Sequence, residues 1–260
     1  MIISINLVDI NQLSLTYQSV NGEIEALTDL NFSVQVGELI SIIGPSGCGK
    51  STLLSIMAGL TPATAGSITL AGEEVRGLSP KIGYMLQKDS LLDWRTIYHN
   101  TLLGLEIRGS LSKENKAYVE KLLKTYGLWE FKDKYPNQLS GGMRQRVALI
   151  RTLAQRPELL LLDESFSALD YQTRLKVSDD IFRILKSEKK TAVIVTHDIS
   201  EGISMSDRVV LLTKRPGTVK RVFVTDFGDP TALIPPLKRR EHDLFRTYFN
   251  EIWGALDVHV

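Results

Sequence analysis

The chain has a single cysteine, Cys48, so it can form no intramolecular disulfide. That agrees with a reducing compartment and leaves the fold to be held by its core. Neither sign of charge is in excess: 31 Lys and Arg stand against 30 Asp and Glu, a net charge of +1. Such a balance gives no electrostatic case for nucleic acid as a partner. The one basic cluster, Lys238, Arg239 and Arg240, reads as a solvated helix start. No apolar run approaches the ~18 residues needed to span a bilayer, so any membrane role is expected to come through a partner. The first residues, MIISINLV, lack a basic leader and a cleavage site, and Asp9 interrupts them, so they are not expected to be a signal peptide. Internal repeats, low-complexity tracts and long linkers are missing too. What is present is 43% hydrophobic content in 260 residues, enough to bury a proper core in one large or two small domains.

Against that background one stretch stands out, Gly44 to Ser51, reading GPSGCGKS. It fits the pattern of a glycine, four residues, then Gly-Lys-Ser, which cradles phosphates. A glycine-rich turn entering a helix aims consecutive backbone N–H groups at one spot, and the positive end of the helix dipole adds to that field. Gly47 and Gly49 let the backbone close in, Lys50 reaches toward β- and γ-phosphates, Ser51 offers a hydroxyl to Mg²⁺, and Thr52 can bond a further phosphate oxygen. The flanks agree: ELISII at Glu38 to Ile43 suits a buried strand, and Leu53, Leu54, Ile56 and Met57 share a helix face that ends at Gly59. Cys48 sits in a helix-start loop, where a thiol pKa tends to fall. It is expected to react with thiol reagents, with loss of nucleotide binding and protection by ATP.

Before the loop, alternation at Leu13, Leu15, Tyr17 and at Leu30, Phe32, Val34, Val36 predicts antiparallel strands joined near Asn21-Gly22. Tyr17 reads either as a stacking platform for a purine or as a half-buried strand tyrosine. After the loop come short strands at SITL and at Ile82 to Leu86, the last ending at Gln87. A helical stretch follows, with helices expected from Trp94 to Ile107 and, capped by Ser112, through Tyr118 to Tyr126. It closes with LSGGMRQR, where Ser140 caps a helix that is either an ordinary capped helix or a second anion-suited start.

Leu159 to Leu162 form an unbroken apolar run suited to a strand covered on both faces, followed by Asp163 and Glu164. At the carboxyl end of a parallel strand one carboxylate can hold Mg²⁺ and the next can act on a water; an acidic turn is the plainer reading. The strand TAVIVT ends in His197-Asp198, where the histidine is either structural or a partner for a γ-phosphate oxygen. Further strands are expected at Arg208 to Thr213 and Val219 to Val224. From Lys238 onward, Leu244, Phe245, Tyr248, Phe249, Ile252 and Trp253 fall on one face of a tail helix that packs on its own domain or binds a partner.

The phosphate loop, Gln87, LSGGM, LLLLDE, SALD at Ser167 to Asp170 and His197 occur in the order that marks ATP-binding-cassette (ABC) ATPases, and the chain resembles that family from about Ile10 to Phe249. The resemblance implies an α/β fold: a P-loop nucleotide-binding core with an antiparallel β-subdomain and an inserted helical subdomain. Residues 1–87 and 156–235 would form the core, 88–155 the helical subdomain and 236–260 a C-terminal helix. It implies that Tyr17 stacks on adenine and that Gly44, Pro45, Ser46, Gly47, Cys48, Gly49, Lys50, Ser51 and Thr52 cradle the phosphates of ATP. Ser51, Gln87 and water held by Asp163 would complete a Mg²⁺ shell, Glu164 would polarise the attacking water, and His197 would fix the γ-phosphate. Family members act as head-to-tail pairs, so Ser140, Gly141 and Gly142 of a second copy would close on the nucleotide.

Within the family, LLDWRT, YPNQLSGGMRQRVAL, ALDYQTR and KRPGTV resemble the ATPase subunits of bacterial importers for nitrate, aliphatic sulfonates and taurine. Met143 stands where many cassettes have glutamine. Ser165 replaces the proline usual in this subgroup, and is expected to loosen the turn without abolishing catalysis. On this resemblance the protein works at the cytoplasmic face of the membrane, docked to transmembrane permease subunits beside Gln87, Leu91, Leu92 and Trp94, and is served indirectly by a solute-binding protein. The competing readings are a non-transport ABC ATPase acting on ribosomes, DNA or the cell envelope, and a non-catalytic nucleotide-dependent scaffold.

Overall fold

A computed structural model describes residues 5–20, 22–167, 169–228 and 233–256; Asn21 of the expected turn and Ala168 of the SALD segment lie outside them. Two long strands open the chain, β1 (Asn6–Ser19) and β2 (Gly22–Gln35), paired antiparallel as their alternation predicts. β3 (Leu39–Ile43) is buried at every position, and the glycine-rich loop carries it into α1 (Lys50–Met57). β4 (Ala65–Leu70) and the short β5 (Glu73–Glu74) return to the first pair, giving an antiparallel sheet of order β2-β1-β4-β5. β6 (Ile82–Met85) then enters a second sheet.

Three helices follow: α2 (Ile97–Ile107), α3 (Lys113–Thr125) and α4 (Gly141–Leu153). The side chains of Thr96, Ser112 and Ser140 each accept a backbone N–H three residues on, so each start carries a side-chain cap for otherwise unpaired donors. Because Thr96 caps α2, that helix begins at Ile97 and not at Trp94, which is left in the preceding loop at 75% exposure. Leu91, expected at a docking face, is instead buried in the core shared with these helices.

The second half is βα alternation: β7 (Leu159–Asp163), α5 (Tyr171–Ser187), β8 (Thr191–Val195), α6 (Ile199–Met205), β9 (Arg208–Leu212), then β10 (Val219–Val224). The six strands run in the order β10-β9-β3-β8-β7-β6, parallel except for β10. Alternate residues of the central strands serve opposite faces. Leu160, Leu162, Ala192 and Ile194 pack toward α4 and α5, while Leu159, Leu161, Val193 and Val195 pack with α1 and the antiparallel sheet. Each buried leucine contributes roughly 1.5–3 kcal/mol, so the unbroken apolar runs are what allow a sheet covered on both sides.

The tail is not one helix. α7 (Pro236–Glu241) and α8 (Asp243–Ala255) meet at His242, whose backbone is extended and whose Nδ1 accepts the Leu244 N–H. α8 buries Ile252 and rests Phe245, Tyr248 and Phe249 on the chain's own core, while Leu244 and Trp253 stay exposed. Among the described residues no helix is long and apolar enough to cross a membrane.

Candidate functional site

β3, β7 and β8 are neighbours, and all three end at one edge of the sheet. In open parallel sheets that edge is where ligands bind. β3 delivers the glycine-rich loop, β7 delivers Asp163 and Glu164, and β8 delivers Thr196 and His197. The loop is shaped by Gly49, at φ 101°, where an added Cβ would lie 2.5 Å from Leu27 Cδ2 and 3.0 Å from the Ala26 carbonyl oxygen. Glycine is therefore required there for conformation and for space. Gly217 braces the loop from behind: its N–H donates to the Ala26 carbonyl at 3.0 Å, and a Cβ on it would meet the Cys48 carbonyl oxygen at 2.2 Å.

Lys50 is buried at the start of α1, its Nζ donating to the carbonyls of Gly44 at 2.8 Å and Pro45 at 3.0 Å. The Ser51 hydroxyl donates to Asp163 Oδ1 at 3.1 Å, and the Tyr84 hydroxyl donates to Asp163 Oδ2 at 3.2 Å. Burial pushes the Asp163 carboxyl above its usual range, against the hydrogen bonds from Ser51 and Tyr84. Tyr84 is itself pushed up to about 12, first by burial and then by the charge of Asp163. Glu164 follows at φ 42°, a left-handed backbone that side chains other than glycine rarely adopt, and its N–H donates to the Val195 carbonyl at 2.9 Å. Its carboxylate faces His197, with Oε1 and Nδ1 3.3 Å apart.

These groups surround a cavity of about 580 Å³. Ser46, Gly47, Gly49, Lys50, Ser51 and Thr52 line it from the loop, Glu164 and His197 from the strand ends, and Tyr17, Ile24 and Ala26 from the antiparallel sheet. Tyr17 reaches the loop, its hydroxyl 3.4 Å from Thr52 Oγ1. Gly44, Pro45 and Cys48 belong to the loop without lining this cavity. Cys48 has no exposed surface, and burial raises its thiol pKa more than the nearby Lys50 lowers it. The expectation of a reactive, low-pKa thiol is thus corrected: packing beneath the loop outweighs the field at the helix start.

Gln87 stands outside the cavity but is tied to it: its Nε2 donates to Ser167 Oγ at 3.1 Å, and that hydroxyl donates to the Glu164 carbonyl at 2.9 Å. Ser140, Gly141 and Gly142 are not brought to the cavity. Gly141 and Gly142, in the first turn of α4, pack closely against α5 and its approach: a Cβ on Gly141 would meet Leu169 at 2.8 Å and one on Gly142 would meet Val177 at 2.7 Å. Ser165, beside the catalytic candidate, buries a hydroxyl that has no hydrogen-bond partner. Sequence reasoning missed Tyr84, Ile24 and Arg215 as neighbours of this site; Tyr84 is a strand residue whose pattern is satisfied by packing alone.

A family model described as ABC transporter matches residues 27–167. The uncharacterized ABC transporter ATP-binding protein YtlC of Bacillus subtilis (strain 168) is 46% identical over 248 residues, covering 95% of each chain. The taurine import ATP-binding protein TauB of Roseobacter denitrificans is 37% identical over 221 residues, 85% of this chain and 82% of that one. Among solved structures, a dimeric post-hydrolysis state of the ATP-binding cassette MJ0796, bound to ADP and Pi, superposes with a TM-score of 0.71 at 33% identity, covering 84% of this chain and 99% of that one.

Proposed function

The chain belongs to the ABC transporter family of ATP-hydrolysing cassettes, and we propose that it is the motor subunit of an importer for a small anionic or zwitterionic solute of the nitrate, sulfonate or taurine kind. The convergence of the phosphate loop, Glu164 and His197 on one cavity, with Asp163 joined to it through Ser51, carries the catalytic part of this reading. The solute class rests on the likeness to TauB and on the segments LLDWRT, YPNQLSGGMRQRVAL, ALDYQTR and KRPGTV.

In this reading the loop N–H groups and Lys50 bind the polyphosphate of ATP, and Tyr17 packs on the base from the antiparallel sheet. Glu164 accepts a proton from the attacking water as the water oxygen bonds to the γ-phosphorus and the bond to the β–γ bridging oxygen breaks, releasing ADP; His197 holds the γ-phosphate oxygens while steadying the Glu164 carboxylate. Ser51 and Asp163 fit a Mg²⁺ site, with Gln87 as the further donor: they are oxygen donors already within 3.1 Å of one another. Among the described residues no cluster of three His, Cys, Asp or Glu could hold a metal by itself. Few protein ligands is the habit of Mg²⁺, which takes its remaining oxygens from phosphates and water. When bound, it neutralises charge that develops on the transferring phosphate.

Ser140 to Gly142 do not line their own chain's cavity, which supports their acting on the nucleotide of a second, head-to-tail copy. The exposed Trp94 and Leu86, flanking Gln87, suit the core of an interface with a permease. A pull-down of tagged protein from gently solubilised membranes, followed by mass spectrometry, tests the importer role. Recovery of a multi-spanning permease with a solute-binding protein is expected; recovery of ribosomal or DNA-associated proteins and no permease would contradict it.

A further inference from the structure

His197 is carried on a turn that has already left the sheet. The last ladder contact is the Thr196 N–H, which donates to the Ile42 carbonyl at 3.3 Å. Beyond it the chain is held by side chains. The buried Thr196 hydroxyl donates to Glu201 Oε2 at 2.8 Å and accepts the Asp198 N–H at 3.1 Å. Asp198 Oδ1 in turn accepts the N–H groups of Ser200, at 2.8 Å, and Glu201, at 3.2 Å. The residues before and after His197 are thus fastened to each other and to the first turn of α6. The imidazole itself projects at 59% exposure toward Glu164.

Glu201 is an unexpected residue to find here. Its side chain is 4% exposed and does not line the nucleotide cavity, and a buried carboxylate costs several kcal/mol unless it is well paired. Arg174 and Arg240 provide opposite charge nearby, and Asp198 adds like charge. Arg174 Nη1 lies 3.8 Å from Asp198 Oδ2 while its Nη2 donates to the Leu169 carbonyl at 3.2 Å, so the same cluster joins the His197 turn to the SALD segment. An aliphatic side chain would fill this place at lower cost, but it would leave the Thr196 hydroxyl proton without an acceptor.

We propose that Glu201 is a positioning residue for hydrolysis: acting through the Thr196 hydroxyl and the Asp198 N–H, it holds the turn so that His197 stays aimed at Glu164. This rests on the reading of His197 as part of the ATP-hydrolysing site. A loosened turn lets the imidazole wander by about an ångström, enough to slow the chemical step while leaving the phosphate loop, and hence ATP binding, intact.

The test measures kcat, ATP affinity and single-turnover hydrolysis of labelled ATP in Thr196→Val, Thr196→Ser, Glu201→Leu and Glu201→Gln, each checked for a cooperative thermal transition. Thr196→Val and Glu201→Leu should lower kcat about tenfold with the Kd for ATP within about twofold of wild type. Ser at 196 and Gln at 201 keep a donor and an acceptor in place, and should restore most of the rate. In a His197→Ala background Thr196→Val should cost nothing more, because its effect passes through the ring. Wild-type kcat in Thr196→Val, or a full additional loss in the His197→Ala background, would overturn the proposal. Were His197→Ala itself to hydrolyse ATP normally, the reading of the site would fall instead, so the two failures are separable.

Discussion

Cys48 and Glu201 show how burial redirects chemistry that sequence position alone suggests. The Cys48 sulfur lies 3.8 Å from Lys50 Nζ, yet the thiol is covered on every side and its pKa is raised, with desolvation the leading cause. A thiol-reactive disulfide should therefore modify the native protein at least about tenfold more slowly than the urea-unfolded chain. Equal rates would contradict the burial. For Glu201, burial pushes the carboxyl from 4.5 up to about 7. Between those values the unfolded chain has released this proton while the folded protein still holds it. Stability from this group therefore falls as pH rises through that window and levels off above it. Glu201→Gln removes the term, which is at most about 3 kcal/mol. Urea denaturation from pH 5 to 7.5 should show the variant gaining on wild type as pH rises; parallel curves would contradict this.

At the scale of elements, the loop between β6 and α2 illustrates what local pattern conceals. Asn100 on α2 is fully buried: its Oδ1 accepts the Leu92 N–H at 2.7 Å, and its Nδ2 donates to the carbonyls of Leu92, Arg95 and Thr96 at 3.0–3.1 Å. That one side chain shapes residues 92–96 and so sets where Trp94 emerges. Asn100→Ala should cost about 2–4 kcal/mol in urea unfolding, since it strands several buried backbone groups; a loss under about 0.5 kcal/mol would contradict the assignment. The phosphate loop, the buried strands β3, β7 and β8 and the caps at Ser112 and Ser140 were legible, because each depends on neighbours in sequence. The start of α2 was misread because Trp94 fits a helical periodicity that the Thr96 cap cuts short. The break at His242 was invisible because it depends on a side-chain cap and on packing against Phe227, 5.4 Å away between ring centroids. Motif order revealed Glu164 and His197 as candidates, but the partners Tyr84 and Arg174 carry no local signal. They become neighbours only when the strand order is known.

Across the whole molecule, contacts run from the sheet edge that carries Glu164 to both surfaces proposed for partners. Gln87 reaches the Glu164 backbone through Ser167. The loop just beyond Gln87 is bound to α4, where Arg144 holds the Asp89 carboxylate at 3.1 Å and Arg151 holds the carbonyls of Asp89 and Ser90 at 2.6 and 2.7 Å. α4 begins at the LSGG segment, whose glycines let it close on Leu169 and Val177. A permease pressing beside Trp94 and a second copy meeting LSGG would therefore act on one connected frame that contains Glu164. The most direct measurement is made on Glu164→Gln with Mg²⁺ and ATP: nucleotide binding, phosphate release, and mass in solution by sedimentation. Glutamine keeps the shape of the site but cannot take the proton from water. ATP binding should persist, hydrolysis should fall at least about a hundredfold, and a dimer should accumulate only when ATP is present. Near-normal phosphate release from that variant would contradict Glu164 as the catalytic base, and with it the mechanism built on this edge of the sheet.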